Sequence, residues 1–356
     1  MSVRIRNIYY LLCYAWNHVE SRDLLDTRVD AGDRVEDLIA HVMARGVARL
    51  LAQGLDHGYI ERVEEVAGVR GKLLLGDTIR SLQLPRGRTT CSVDELTIDV
   101  PHNRIIKAAM RELLALPTLA PALRVPLRRH LQRFAAVSDI ELTTTAFREV
   151  RLGRHLSRYG FLIQLCALLC RCLVPDPQTG GRRFHPFDAD EREMGAVFEA
   201  FVFNFLRLEQ SEYAVSRRNF DWDATAANEL DLRFLPLMRT DVLLTNARRR
   251  VVIETKYYAS PLRYRRDTAT PKLISGHLYQ LLAYLQRLEA EPGPPVEGIL
   301  LYAGVGQPLE LEYRMAGHRV RVQTLELERS WRQIRRELLR IAGVRAMDAL
   351  SSNDLA

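Results

Sequence analysis

The sequence predicts an α/β protein of mixed α+β type with two domains. The first 175 residues are dominated by helix-like apolar spacing, whereas the later residues alternate strand-like and helix-like runs. With 356 residues and 47% hydrophobic side chains, the chain is long enough to form two packed cores. We therefore expect a helix-rich N-terminal domain, followed by a domain in which helices flank a central mixed β-sheet.

Apolar spacing in the first half predicts five helices and two strand regions. The helices are expected at 6–20, 34–55, 103–115, 119–136 and 155–174, and the strands at 58–75 and 88–100. Turn-forming residues then interrupt the apolar pattern after residue 174. We therefore divide the chain into an N-terminal domain at 1–175, a linker at 176–190, a second domain at 191–346 and a polar, frayed tail at 347–356.

Two apolar runs in the second domain predict a β-hairpin with charged side chains. Residues 239–244 and 251–258 flank a short polar, basic stretch that has the length of a hairpin connection. Side chains alternate faces along a strand, so Glu254 and Lys256 point the same way, about 7 Å apart. The separation between Asp241 and Glu254 is odd, which lets the two carboxylates face each other across a hairpin with an even-length turn.

This combination of side chains has the chemistry of a site for a divalent cation. Two carboxylates beside an apolar strand pair are costly unless something compensates their charge, and Mg²⁺ or Mn²⁺ prefers such oxygen ligands. We expect Asp241, Glu254 and the backbone carbonyl of Thr255 to bind the metal, and Lys256 to act on an attacking water or a phosphate. The same pattern also occurs on edge strands as a solvated ion pair, so the hairpin alone leaves both interpretations open.

The residues after the hairpin predict a crossover helix beside the carboxylates. An apolar stripe at helical spacing indicates a helix over 273–291, and 298–302 indicates a further buried strand. His277, Gln280 and Tyr284 form a second stripe on an adjacent face of this helix. The order strand, strand, helix, strand predicts a mixed sheet with a right-handed crossover.

These residues resemble the PD-(D/E)xK nuclease superfamily, in particular its RecB-like branch. Asp241 and Glu254-x-Lys256 correspond to its acidic motifs, and Gln280-x-x-x-Tyr284 to the QxxxY motif of its crossover helix. The usual Pro before the Asp is replaced here by Thr240. The resemblance implies catalytic roles for all five side chains. It also makes Glu199, in preference to Glu193, a further candidate metal ligand in the first helix of the domain.

Segments along nearly the whole chain are similar to McrC proteins, the nuclease subunits of McrBC restriction systems. They lie at 3–16, 68–72, 103–107, 193–194, 222–223, 278–281 and 284–285. The resemblance implies an endonuclease subunit of a 5-methylcytosine-dependent antiviral restriction complex. Its partners would be a hexameric AAA+ McrB-like GTPase, which recognises the modified base and binds the N-terminal half, and double-stranded DNA. The alternative is a non-catalytic adaptor that activates the GTPase.

Charge and nucleotide-binding patterns agree with these partners. The formal net charge is +7, and arginine-rich stretches at 124–133, 248–250 and 263–266 are candidate phosphate contacts or solvated surfaces. No GxxxxGK[ST] motif occurs in the sequence, so we assign nucleotide binding to the partner.

The five cysteines predict a reducing environment and no metal cluster. Cys166 and Cys170 lie four residues apart in an apolar helix, where a free thiol behaves as a small hydrophobic side chain. The odd number of cysteines and the lack of a signal peptide predict a cytoplasmic protein. The apolar runs are shorter than the ~18 residues that a membrane-spanning helix needs.

Overall fold

The protein is described here by a computed structural model. It describes residues 3–24, 34–153, 156–177, 180–258, 262–263, 271–304 and 308–344. The predicted tail at 347–356 and positions 264–266 of the predicted basic loop lie outside the described residues. Two compact units are present: residues 36–185 form one, and residues 1–35 together with 186–356 form the other.

The described elements confirm the predicted mixed class. The helices are α1 Ile5–Ala15, α2 Val35–Gln53, α3 Leu75–Arg80, α4 Pro101–Ala115, α5 Pro121–Gln132, α6 Ser157–Cys172, α7 Glu191–Glu209, α8 Ser275–Glu289 and α9 Trp331–Ala342. The strands are β1 Gly58–Ala67, β2 Lys72–Leu73, β3 Arg88–Thr97, β4 Leu173–Pro175, β5 Arg182–Phe184, β6 Ala214–Ser216, β7 Asn219–Phe220, β8 Met238–Arg239, β9 Val242–Thr245, β10 Arg250–Tyr257, β11 Leu262–Arg263, β12 Lys272–Leu273, β13 Val296–Gly304, β14 Glu310–Met315 and β15 His318–Glu326.

The unit at 36–185 combines a helical core with a small sheet. Helix α4 packs against α5 and α6, and the buried side chains include Ile105, Met110 and Leu165. Strands β1, β3 and β2 form an antiparallel sheet in that order. The helices and strand regions predicted for the first half are all present. Helix α1 ends at Ala15 instead of residue 20, because Asn17 adopts a positive φ of 57° that a right-handed helix excludes.

The second unit is built on a six-stranded mixed sheet. The strand order is β14-β15-β13-β10-β9-β6. Strands β10, β13 and β15 run parallel to one another, and the remaining neighbours are antiparallel. Helix α8 connects the parallel strands β10 and β13, as the sequence predicted for the crossover helix. The β9–β10 hairpin also has the predicted position.

Helix α1 belongs to this second unit, which differs from the predicted division at residue 175. The ring of Tyr14 lies 5.3 Å from that of Phe205 on α7 and 5.4 Å from that of Trp331 on α9. The side-chain amide of Asn7 donates to the carbonyl of Leu327 at 2.7 Å. An amphipathic pattern shows that a helix buries one face, but it does not show which element covers that face. The sequence therefore placed α1 with its neighbours in the chain.

Cys166 has the apolar environment that the sequence predicted. It is fully buried in α6, and burial raises the pKa of its thiol, which keeps it protonated. The described cysteines are free thiols, and Cys170 alone among them is half-buried. Over the part of the chain that the structure describes, no helix is long and apolar enough to cross a membrane.

Helix α8 packs closely against the sheet at Gly298 on β13. A Cβ atom at this position would lie 2.9 Å from Cδ1 of Leu285 and 3.0 Å from Cδ2 of Leu281, both on α8. A methyl group there therefore requires the buried side chains of Leu285 and Leu281 to move. This close approach limits the distance between α8 and β13, the neighbour of the strand β10 that carries Glu254 and Lys256.

We predict that Gly298→Ala lowers the free energy of unfolding by about 1–3 kcal/mol through overpacking. Urea denaturation followed by circular dichroism measures this change. Gly276→Ala is the matched control, because a Cβ there meets no atom within 4 Å. Equal stability of the two variants would contradict the close packing of α8 on β13.

Candidate functional site

A β-bulge positions Asp241. On one side of it Ser216 pairs with Leu243, and on the other side Asn219 pairs with Arg239. Only residues 217 and 218 lie between these pairs on the first strand, whereas residues 240, 241 and 242 lie between them on the second. The second strand therefore carries one extra residue, which is the definition of a bulge. Bulges change the direction of a side chain without ending the sheet.

Thr240 holds this bulge together. Its side chain is fully buried, and its Oγ1 accepts a hydrogen bond from the backbone N–H of Arg218 at 2.9 Å. Its own N–H donates to the carbonyl of Arg218 at 3.0 Å. The backbone N–H groups of Arg218 and Thr240 therefore both have hydrogen-bond partners within the bulge, as buried backbone groups require. The Thr before Asp241, in place of the usual Pro, therefore has a structural function.

The carboxylate of Asp241 contacts the end of the β9–β10 pairing. Val242 is opposite Ile253, so Asp241 and Glu254 would be the next pair in the predicted register. Asp241 Oδ2 accepts from the backbone N–H of Thr255 at 2.8 Å and from its hydroxyl at 2.6 Å. These bonds connect the two strands beyond Val242 and Ile253, where their main-chain pairing ends. They also fix the orientation of the carboxylate.

Glu254 is a buried carboxylate with one satisfied oxygen. Its side chain is 1% exposed, and Oε1 accepts from Nζ of Lys256 at 2.6 Å. Oε2 is buried and has no hydrogen-bond partner among the described residues. Burial, and then the nearby charge of Asp241, raise the pKa of Glu254 to about 7, although Lys256 acts in the opposite direction. A cation close to Glu254 would therefore stabilise the ionised form of its carboxyl group.

Lys256 is held from two sides. Besides its bond to Glu254, Nζ donates to Oε1 of Gln280 at 3.0 Å. The amide of Gln280 in turn donates to the hydroxyl of Tyr284 at 3.1 Å, and the ring of Tyr284 stacks on Phe220. The structure therefore brings the predicted residues of β10 and α8 into one hydrogen-bonded chain. Gln280 contacts Lys256 directly, and Tyr284 contacts Gln280 because the two residues lie one turn apart on the face of α8 beside the sheet.

Glu199 on α7 lies close enough for Asp241 to influence it electrostatically. Burial, followed by the charge of Asp241, raises the pKa of Glu199. Its Oε1 is 2.9 Å from Nη2 of Arg217 and 3.5 Å from Nη2 of Arg239. The predicted candidate ligand is therefore near the site and paired with two arginines.

The donor set fits a divalent cation bound by two protein carboxylates. Within the described ranges, no group of three or more His, Cys, Asp or Glu side chains is arranged to hold a metal ion. Asp241 and Glu254 remain as a pair, and the partnerless Oε2 of Glu254 is the kind of oxygen that a cation satisfies. Two carboxylates with water and phosphate oxygens are a common Mg²⁺ environment.

Sequence reasoning missed the roles of Thr240, Thr255 and Arg217. Period-2 alternation assigned Thr255 to the face opposite Glu254, and only its carbonyl was predicted to act. Its N–H and hydroxyl instead bind Asp241, because the bulge turns that carboxylate toward them. For Thr255, the sequence signal was its hydroxyl between the motif residues Glu254 and Lys256. That signal does not reveal the bulge that turns Asp241 toward Thr255.

The comparisons with known proteins agree over nearly the whole chain. The family described as McrBC 5-methylcytosine restriction system component matches residues 5–303. The type IV methyl-directed restriction enzyme EcoKMcrBC of Escherichia coli K12 is 30% identical over 339 residues, which are 95% of this chain and 97% of the relative.

A solved structure supports the fold. It is a half-complex from a tetradecameric assembly of Thermococcus gammatolerans McrB AAA+ hexamers with bound McrC. It matches with a TM-score of 0.58 and 18% identity, and covers 95% of this chain and 75% of that chain. The resemblance predicted from the sequence is confirmed, and the chain belongs to the family of McrBC 5-methylcytosine restriction system components.

Proposed function

We propose that this chain is the endonuclease subunit of a modification-dependent restriction complex and hydrolyses DNA phosphodiesters with Mg²⁺ or Mn²⁺. The observation that supports this most is the chain of bonds from Glu254 through Lys256 and Gln280 to Tyr284, beside Asp241. The relative from Escherichia coli is a methyl-directed restriction enzyme, which fits this reaction.

Asp241 and Glu254 are the side chains that would hold the cation. Asp241 is oriented by Thr255, and Glu254 offers its partnerless Oε2. A bound divalent cation polarises the phosphate and promotes ionisation of water at neutral pH. The Thr255 carbonyl remains a further candidate ligand from the sequence.

Lys256 has a donor left for the reaction. An ammonium has three N–H donors, and the described contacts use one for Glu254 and one for Gln280. The remaining donor can bind the attacking water or a phosphate oxygen on which negative charge develops. Gln280 would position Lys256 directly, and Tyr284 would do so through its hydrogen bond with Gln280.

We further propose that the unit at 36–185 binds an AAA+ McrB-like GTPase, and that this partner recognises 5-methylcytosine in double-stranded DNA. The support is a set of exposed apolar residues on one face of the sheet of that unit, which also carries Glu61 and Asp94. Tyr59, Val63 and Leu96 lie on the same face of β1 and β3, and Tyr59 is 74% exposed. Exposed apolar groups of this kind commonly mark protein interfaces. The cytoplasm, where such a complex meets DNA, is the proposed location.

The same face favours a second candidate function, a non-catalytic adaptor that only activates the GTPase. In that case the bonds around Lys256 would serve stability alone. The two functions differ in whether removal of the Asp241 carboxylate affects DNA cleavage.

We predict that Asp241→Ala lowers DNA cleavage by more than about 100-fold, because a metal ion contributes several kcal/mol to stabilising the transition state. Cleavage of methylated DNA is measured with the GTPase partner, GTP and Mg²⁺. Stimulation of GTP hydrolysis should remain at the wild-type level, and Glu312→Ala on β14 is the matched acidic control. Retained cleavage by Asp241→Ala would favour the adaptor.

We predict that the concentration of Mn²⁺ giving half-maximal thermal stabilisation is about tenfold higher at pH 6 than at pH 8. The raised pKa of Glu254, about 7, means that the metal competes with a proton at pH 6. For the same reason, the stability of the metal-free chain should decrease as the pH rises from about 4.3, the unfolded value, to about 7. Glu254→Gln should lose the Mn²⁺-induced stabilisation at both pH values. An equal requirement at both pH values in the wild type would exclude Glu254 as the ligand.

We predict that the double variant Tyr59→Ser, Leu96→Ser weakens binding of the GTPase at least about tenfold, as expected for exposed aromatic anchors of an interface. Affinity is measured by titration of the partner with labelled chain. Leu230→Ser, an exposed apolar position of the other unit, is the control. Unchanged affinity of the double variant would place the interface elsewhere.

A further inference from the structure

Two arginines share one carboxylate beside Asp241. Arg217 Nη2 and Arg239 Nη2 lie 2.9 Å and 3.5 Å from the same oxygen, Oε1 of Glu199. The two arginines approach from neighbouring strand segments on either side of the bulge, and Glu199 approaches from α7. One carboxylate neutralises one guanidinium, so the three side chains carry a formal charge of +1.

Arg217 is fixed in its position by two further contacts. Its Nε donates to the backbone carbonyl of Asp241 at 3.2 Å. Its Cζ lies 4.4 Å from the centre of the Phe203 ring, within cation–π distance. The guanidinium is therefore held against the same residue whose carboxylate belongs to the candidate metal site. A side chain that is already ordered loses little conformational entropy when it binds a ligand.

Both arginines keep donors that face solvent. The side chain of Arg217 is 31% exposed and that of Arg239 is 48% exposed. A guanidinium has five N–H donors. Within the described residues, the bonds to Glu199 and to the Asp241 carbonyl use two donors of Arg217 and one donor of Arg239. The planar fork of such donors matches the oxygens of a phosphate.

We propose that Arg217 and Arg239, held by Glu199, form a subsite for a backbone phosphate of the DNA strand next to the phosphate that is cleaved. This inference rests on the proposed nuclease function. It assigns Glu199 to the arginines and not to the metal, in contrast to its role as a candidate ligand in the sequence. Arg217 and Arg239 are positioning residues, because they place the strand relative to Asp241 and do not touch the reacting atoms.

The position of the subsite beside Asp241 follows from where the two arginines lie in the chain. Arg239 is two residues before Asp241, and Arg217 contacts its carbonyl. Successive phosphates of a DNA strand are several ångströms apart, so a phosphate bound here leaves the neighbouring one free to approach Asp241 and Lys256. A simple surface ion pair would need only one arginine for Glu199 and would contribute little.

DNA binding without divalent cations tests the subsite separately from catalysis. Fluorescence anisotropy of a labelled duplex is measured with the full chain over a range of salt concentrations. In the double variant Arg217→Gln, Arg239→Gln, we expect the affinity for the duplex to fall at least about tenfold. The negative slope of log K against log salt should become shallower by about 0.9 for each phosphate that is no longer neutralised. Arg319→Gln on β15 is the matched control, since Arg319 is 46% exposed and also pairs with a glutamate. Arg217→Lys, Arg239→Lys should recover most of the slope.

The same variants distinguish failure of the subsite from failure of the proposed function. Wild-type affinity and slope in the double glutamine variant would overturn the subsite, even if Asp241→Ala abolishes cleavage as expected. A Glu199→Gln variant should keep the Mn²⁺-induced thermal stabilisation, which Glu254→Gln should lose. Loss of that stabilisation in Glu199→Gln would overturn the assignment of Glu199 to the arginines. Cleavage that persists in Asp241→Ala would instead refute the proposed nuclease function.

Discussion

The buried carboxylate of Glu254 is the constraint on which the rest of the site depends. Removing a carboxylate from water costs several kcal/mol unless its oxygens find partners. Lys256 satisfies Oε1, while Oε2 has no partner among the described residues. One oxygen of the buried carboxylate is therefore compensated, and the other still lacks a partner. The divalent cation that we propose would supply the missing partner of Oε2.

Each surrounding element contributes to keeping this carboxylate in place. Helix α8 supplies Gln280, which prevents Lys256 from turning into solvent, and the close contact at Gly298 fixes the height of that helix above the sheet. The bulge at Thr240 turns Asp241 toward β10, and Thr255 holds it there. Groups that are oriented before the substrate binds need no reorganisation during the reaction, which is the main source of electrostatic catalysis.

Local patterns predicted much of this arrangement. The hairpin, the crossover helix and the buried strand follow from apolar periodicity, and alternation along β10 correctly placed Glu254 beside Lys256. Helical spacing also brought Gln280 and Tyr284 together. These features depend on residues that are close in the sequence, so a single chain is sufficient to find them.

Features that depend on distant pairing were not predictable. The bulge arises because β6 and β7 pair with β9 and β8 in two registers, and neither strand alone reveals this shift. The position of α1 in the second unit depends on Trp331, more than 300 residues later. The arginine partners of Glu199 depend on the same long-range pairing and were not predicted from the sequence.

The most direct test of the account is the location of a bound metal in a crystal of the full chain grown with Mn²⁺. The anomalous signal of the ion should lie within about 2.0–2.3 Å of carboxylate oxygens of both Asp241 and Glu254, the range for hard divalent cations on oxygen ligands. Glu199 should remain paired with Arg217. A Mn²⁺ ion bound elsewhere while Glu254 keeps its partnerless oxygen, or one ligated by Glu199 in place of Glu254, would contradict the central role assigned to this buried carboxylate.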